Sequence, residues 1–333
     1  MTFDDLPRVI LAHAPTPLEP LARLREAVGG PRIWIKRDDC TGLATGGNKT
    51  RKLEYLIAAA EAEGADTVIT FGALQSNHAR QTAAACARRG LGCDLVLSAA
   101  VPRTVDDYGR GGNLLLDELL GARVHRVPEH SSPGAMLREV MADHAAAGRR
   151  CYVIPTGGSN AIGALGYVRC AREIADDFAR RGMFPSAVVH ATSTGGTQAG
   201  LLAGMRLAGY TTRVIGVNVY TRDSEALRTT IGELTGEVLG RIAPGMTAGE
   251  GAVEVEEGQL GGGYGIATDA MVEAVKLVAR TEGVLLDPVY SGKGMAGLLA
   301  MIRRGAFDEN DDVVFVHTGG TLALGVYTSE FRR

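Results

Sequence analysis

The chain has no apolar run of membrane-spanning length, no CxxC pair, and no HExxH among its seven histidines. The first absence excludes a transmembrane helix. The other two speak against a structural metal site, because such ligands keep regular spacings. Five cysteines, Cys40, Cys86, Cys93, Cys151 and Cys170, are an odd number with no framework spacing. They read as buried thiols rather than disulfides. An excess of positive charge is also missing: the formal net charge is −3, which gives nucleic acid nothing to follow. The opening "MTFDDLPRVI" carries acids where a signal peptide carries cations, and no cleavage pattern follows, so a cytoplasmic protein is expected. No proline- or serine-rich linker and no internal repeat divide the chain. Two nucleotide fingerprints are absent as well. "STGGTQAG" (193–200) runs into Leu201, without the Lys-Ser/Thr of a P-loop, and it does not read GxGxxG.

What is present is an alternation. Eight short β-branched runs read as strands: 32–36, 66–71, 93–98, 122–127, 151–155, 186–191, 212–219 and 311–317. Alanine-rich stretches between them, at 49–64, 77–90, 197–209 and 269–283, read as helices, several stopped by glycine. Strand–helix alternation predicts an α/β fold with mostly parallel sheets flanked by helices. A length of 333 residues predicts two domains. Residues 234–263, rich in Gly and Glu, read as loop.

Many of the 45 glycines stand where a strand gives way to a helix, the end of an α/β sheet where ligands bind. In "STGGTQAG", the N–H groups of Gly195, Gly196 and Thr197, with the Thr197 hydroxyl, form a candidate anion cup. The plainer alternative is a tight turn that needs glycine. In "GALQSNHARQ" (72–81), Ser76, Asn77 and His78 open a helix. They read either as caps or as a carboxylate site. In "GGNKTRK" (46–52), Gly46 and Gly47 allow close backbone approach, and Asn48 is positioned to cap the helix that begins near Lys49. A cation at a helix N-terminus, beside Arg51 and Lys52, favours the neutral amine, the form that condenses with a carbonyl. Arg51 and Lys52 themselves read as a solvated basic face. "HTGGT" (317–321) brings Thr318 out at a strand end. Tyr264 in "GGGYG" and Tyr290 in "DPVYSGKG" lie in glycine turns, as packing residues or as acids and bases.

Together these stretches, with "PTPLEPL" (15–21), "IKRDDCTGLATGGNKTRKLEYL" (35–56) and "GGSNAIGALGY" (157–167), resemble the tryptophan-synthase-β-like, fold-type-II family of pyridoxal-phosphate enzymes. Within it the chain is similar to the group of D-cysteine desulfhydrase, L-cysteate sulfo-lyase and 1-aminocyclopropane-1-carboxylate deaminase. The resemblance implies a large domain of residues 1–49 and 166–333, a small domain of residues 50–165, and pyridoxal 5'-phosphate in the cleft of a homodimer. It implies that Lys49 joins the cofactor covalently and that Asn77 bonds its ring hydroxyl. Gly195, Gly196 and Thr197 would hold its phosphate, and Thr318 would face its ring nitrogen. Ser76, Asn77 and His78, with Thr45 nearby, would bind the substrate, and Tyr264 and Tyr290 would stand over it. The catalytic set is then Lys49, Ser76, Tyr264 and Tyr290. Ser291 stands where the deaminase carries a glutamate, which ranks that activity third.

The implied reaction is β-elimination from a small sulfur-containing amino acid, giving pyruvate and ammonia. The hydroxyls of Thr41, Thr45 and "TSTGGT" favour an anionic sulfonate leaving group, hence L-cysteate with release of sulfite, over D-cysteine with release of sulfide. A catalytically silent binding protein on the same fold is the other class of reading. The intact Lys49, Ser76 and Tyr290 oppose it.

Overall fold

A computed structural model describes residues 3–103 and 105–332. Among the described residues ten strands form two sheets. They are β1 (Leu18–Pro20), β2 (Arg32–Lys36), β3 (Thr67–Ala73), β4 (Gly92–Ser98), β5 (Arg123–Arg126), β6 (Cys151–Ile154), β7 (Ala187–Thr192), β8 (Arg213–Asn218), β9 (Glu254–Glu256) and β10 (Asp312–Val316). The larger sheet runs β1-β2-β10-β7-β8-β9, and the smaller β5-β4-β3-β6. Every pairing is parallel except β1 with β2, as strand–helix alternation requires.

Both faces of each sheet are covered, which is why the strands read as apolar runs. In β10, Val313 and Phe315 pack with Leu24, Met271, Val278 and Leu298 from helices on one face. Val314 and Val316 pack with Tyr167, Phe178, Leu201 and Met205 on the other. In the smaller sheet Val68, Leu95 and Leu97 meet the helices Lys49–Ala62 and Asn77–Arg89. Ile69 and Val96 meet Val140 of the helix Pro133–Ala146. Gly90 and Gly283 end their helices in the left-handed conformation, as their positions predicted.

Three expectations need correction. Residues 234–242 are not loop but the end of a helix, Ser224–Ile242. Cys86, Cys93 and Cys170 are buried thiols, but Cys151 is half-buried and Cys40 exposed. Arg51 and Lys52 do not form a solvated face: both side chains are buried. Arg51 bridges Asp38 through Nε and Nη2 at 2.8 and 2.9 Å, and Glu173 through Nη1 and Nη2 at 2.8 Å. Among the described residues no helix is long and apolar enough to cross a membrane, and no cluster of ligating side chains suits a metal ion.

Candidate active site

The carboxyl ends of β3, β7 and β10 open on one cavity of about 270 Å³. Lys49, Ser76, Asn77, His78, Gly195, Thr197, Tyr264, Tyr290 and Thr318, each singled out in the sequence, line it. Gly196 sits just behind, where a Cβ would lie 2.9 Å from Lys52 Nζ and 2.7 Å from Ser159 Oγ. Thr45 does not join them. It is exposed, its backbone is left-handed at φ 70°, and its hydroxyl accepts from Arg80 instead.

Lys49 begins its helix, but Asn48 does not cap it with its side chain. Asn48 Oδ1 accepts from Lys49 Nζ at 2.9 Å, and its Nδ2 donates to Thr197 Oγ1 at 3.2 Å. One amide therefore ties the amine to the anion cup. Burial lowers the Lys49 amine to about 8, with Asp287 opposing the shift and Arg80 adding to it. The turn before it is clamped from the neighbouring helix. Arg80 donates to the carbonyls of Ala44 and Gly46, and Gln81 Oε1 accepts from Thr50 N at 2.9 Å while its Nε2 donates to Asn77 O.

The cup lies at the N-terminus of the helix Gly196–Leu207, where the first N–H groups lack intrahelical acceptors. Gly195 holds φ 81°, a conformation that favours glycine. Lys52, three residues after Lys49 and so on the same helix face, was missed as a site residue. Its Nζ donates to Gly157 O at 3.0 Å and Ser159 Oγ at 3.2 Å, and burial, then Lys49, push its pKa far down. The buried Lys52 amine beside a helix N-terminus suits a phosphate.

Ser76 caps the helix Asn77–Arg89, its Oγ accepting from Ala79 N at 3.1 Å. That leaves the N–H groups of Asn77 and His78 for an anion beyond the helix end. Asn113 Nδ2 donates to Asn77 Oδ1 at 3.0 Å, which turns the Asn77 amide so that Nδ2 remains the donor. Thr70 Oγ1 donates to Ile154 O at 2.8 Å, so it accepts from His78 Nε2, also at 2.8 Å. His78 is thus a neutral Nε2–H tautomer, kept neutral by burial and by Lys49 and Lys52. It offers an anion its backbone N–H, not its ring.

On the opposite wall the hydroxyls of Tyr264 and Tyr290 meet each other. Burial raises Tyr264 to about 12 and Tyr290 well above its ordinary value, so both remain protonated at neutral pH. Tyr290 is held by Asp287, whose Oδ2 accepts from Val289 N and Tyr290 N at 2.9 Å and whose Oδ1 accepts from Ser291 N and Oγ. The Ser291 hydroxyl is committed there, accepting in turn from Asp287 N.

A half-buried amine of lowered pKa, a phosphate cup, a fixed amide donor and two protonated tyrosines around one cavity fit pyridoxal phosphate by their donor set. Comparison with known proteins agrees. A family model described as "Pyridoxal-phosphate dependent enzyme" matches residues 9–319. The D-cysteine desulfhydrases of Salmonella choleraesuis (strain SC-B67) and Salmonella newport (strain SL254) are each 44% identical over 321 residues, 96% of this chain and 96% of theirs. The solved structure of an ACC deaminase homologue superposes with a TM-score of 0.87 at 34% identity, over 99% of this chain and 96% of its own. The threonine deaminase of T.th. shares the fold, with a TM-score of 0.65 at 20% identity over 92% of each chain. The chain belongs to the family of pyridoxal-phosphate-dependent enzymes, and its cofactor is pyridoxal 5'-phosphate.

Proposed function

We propose that this enzyme carries out β-elimination on D-cysteine, releasing sulfide, pyruvate and ammonia. The preference for a sulfonate substrate rested on the hydroxyls of Thr41, Thr45 and "TSTGGT", and neither Thr41 nor Thr45 lines the cavity. Thr41 Oγ1 is buried and donates within its own turn while accepting from Gly47 N at 2.7 Å. Thr45 Oγ1 accepts from Arg80, and Thr194 and Ser159 bond each other at 2.7 Å. Thr192, Ser193 and Thr197 do line the cavity, so the desulfhydrase names of the 44%-identical relatives carry the choice of a thiol over a sulfonate. The ACC deaminase homologue keeps ring opening as a further reading, but Ser291, already bonded to Asp287, offers no acidic group in place of a glutamate.

When bound, pyridoxal phosphate supplies the electron sink for charge at the substrate's α-carbon. Lys49 Nζ would be the amine that holds the cofactor and, when free, the base for the substrate's α-proton. Lys52 and the N–H groups of Gly195, Gly196 and Thr197 would hold the phosphate. Asn77 Nδ2 would bond the ring hydroxyl, and Thr318 would face the ring nitrogen. The Ser76 hydroxyl and the first-turn N–H groups of Asn77 and His78 receive the carboxylate. Tyr264 and Tyr290, both protonated, stand where a departing thiolate needs a proton. Overall, D-cysteine and water become hydrogen sulfide, pyruvate and ammonia. The homodimer and the division into residues 50–165 and the remainder belong to the same reading.

The test is a substrate panel of both cysteine enantiomers, L-cysteate and aminocyclopropane carboxylate, with pyruvate, sulfide and sulfite followed together. D-cysteine should give sulfide and pyruvate in equal amounts, and Lys49→Ala should abolish both while remaining folded. Sulfite from L-cysteate at a higher kcat/KM would overturn the assignment.

A further inference from the structure

Lys293 is a fully buried lysine that the proposed reaction does not use. It lies in the first turn of the helix Ser291–Arg303, where a cation opposes the helix dipole. Its Nζ donates to two carbonyl oxygens, Leu260 O at 2.7 Å and Gly263 O at 3.3 Å. Burial lowers its amine to about 8, with no other group contributing to the shift. A desolvated ammonium held only by carbonyls costs stability, and a neutral side chain of similar length would avoid that cost.

The location of those two carbonyls gives the cation a purpose. They belong to the glycine-rich segment that carries Tyr264, one residue beyond Gly263. Gly261, Gly263 and Gly265 have φ of 65°, 154° and 72°, so the segment has little conformational preference of its own. Further contacts hold it: Tyr327 Oη donates to Gly265 O at 2.7 Å, Arg222 Nη2 to Gly262 O at 3.5 Å, and the Tyr220 ring lies edge-on 5.6 Å from that of Tyr264. Tyr290 is the residue at the N-cap of the same helix, three positions before Lys293. One helical turn therefore presents Tyr290 and, through the ammonium, fixes the loop that brings Tyr264 against it.

We propose that Lys293 is a positioning residue, an internal cation that clamps the 260–263 carbonyls and so sets Tyr264 against Tyr290 over the substrate. The inference rests on the reading that these tyrosines serve the elimination. Nζ acts on the loop and touches no reacting atom.

The test uses holoenzyme of the wild type, Lys293→Met, Lys293→Ala, Tyr264→Phe and the Lys293→Met/Tyr264→Phe double variant. Hydrogen exchange of the 258–266 segment reports the clamp without reference to activity. Exchange there should quicken at least tenfold in Lys293→Met while the core strands keep their protection. The kcat on D-cysteine should fall about tenfold or more, with a smaller change in KM. In the Tyr264→Phe background Lys293→Met should add less than about twofold, since both act through one hydroxyl. Lys293→Ala should regain kcat with n-propylammonium, the fragment removed, and not with tetramethylammonium, which has no N–H to donate. Unchanged exchange in 258–266, or full additivity of the two substitutions, would overturn the proposal. If Tyr264→Phe itself leaves kcat unchanged, the role given to the tyrosines fails, and hydrogen exchange alone then decides the clamp.

Discussion

At the scale of single residues, Lys49 was legible because its surroundings are written locally: two glycines, a helix start and neighbouring cations. Lys52 was not, because sequence does not separate a buried amine from a solvated one when both follow a lysine on a helix. Thr45 was drawn in by proximity in the chain, and its left-handed backbone turns the hydroxyl to Arg80 instead. Lys49 also yields a pH prediction. Burial is the main reason its amine sits near 8, and Asp287 is the group that keeps it from falling further. The neutral amine is the nucleophile, and its fraction grows as pH rises through that value. The rate at which apoenzyme takes up pyridoxal phosphate, followed by visible absorbance between about pH 6 and 10, should therefore climb through about 8 and level off. Asp287→Asn removes the charge, so its midpoint should move lower, while the amide NH2 set against two of the four donors that Asp287 accepts should also lower stability. A rate flat across this range would exclude Lys49 as the titrating group.

At the scale of elements, eight strands were legible from short β-branched runs, whereas β1 and β9, three residues each, are too short to show a pattern. The helix Ser224–Ile242 was partly read as loop because Gly232, Gly236 and Gly240 recur every four residues. Leu227, Ile231, Leu234 and Val238 trace its buried stripe, and the glycines lie on the other face. The helix Lys49–Ala62 was recognised, but not what anchors it. Arg51 joins it to Asp38 and to Glu173 of the helix Ala161–Arg180, and Tyr167 Oη donates to Asp38 Oδ2 at 2.6 Å. Burial alone would raise the Asp38 and Glu173 carboxyls, but Arg51 together with Lys36, and Tyr167 at Asp38, holds both below their usual range. Arg51→Met leaves both carboxylates without that partner in a buried setting, which costs about 3–5 kcal/mol. Urea unfolding should show a midpoint lowered accordingly, and a midpoint equal to the wild type's would mean that the pair does not anchor the helix.

At the scale of the whole molecule, the site exists only where the two sheets meet, and no local pattern states how closely they approach. The helix Ala161–Arg180 sets that distance. At Gly166 a Cβ would overlap the carbonyl oxygen of Arg51, on the helix that carries Lys49 and Lys52. At Gly200 a Cβ would overlap Ala164 O, on the helix whose N-terminus forms the phosphate cup. One helix thus spaces the amine from the cup through two contacts that only glycine permits, and the proposed boundary between 165 and 166 falls at the first. In Gly166→Ala the added methyl meets backbone that cannot rotate away, so the helices must part, at about 2–3 kcal/mol. Because that movement carries Lys49 and Lys52 from the cup, the dissociation constant for pyridoxal phosphate, measured by fluorescence titration, should rise alongside the loss in denaturation midpoint. Gly236→Ala supplies the opposite sign within the same molecule. Its Cβ would enter open space on a helix, so the substitution should stabilise by about 0.5–1 kcal/mol and leave cofactor affinity untouched. If both variants gained stability alike, glycine propensity alone would account for them, and the close contact at Gly166 would not be what holds the cofactor's two anchors in register.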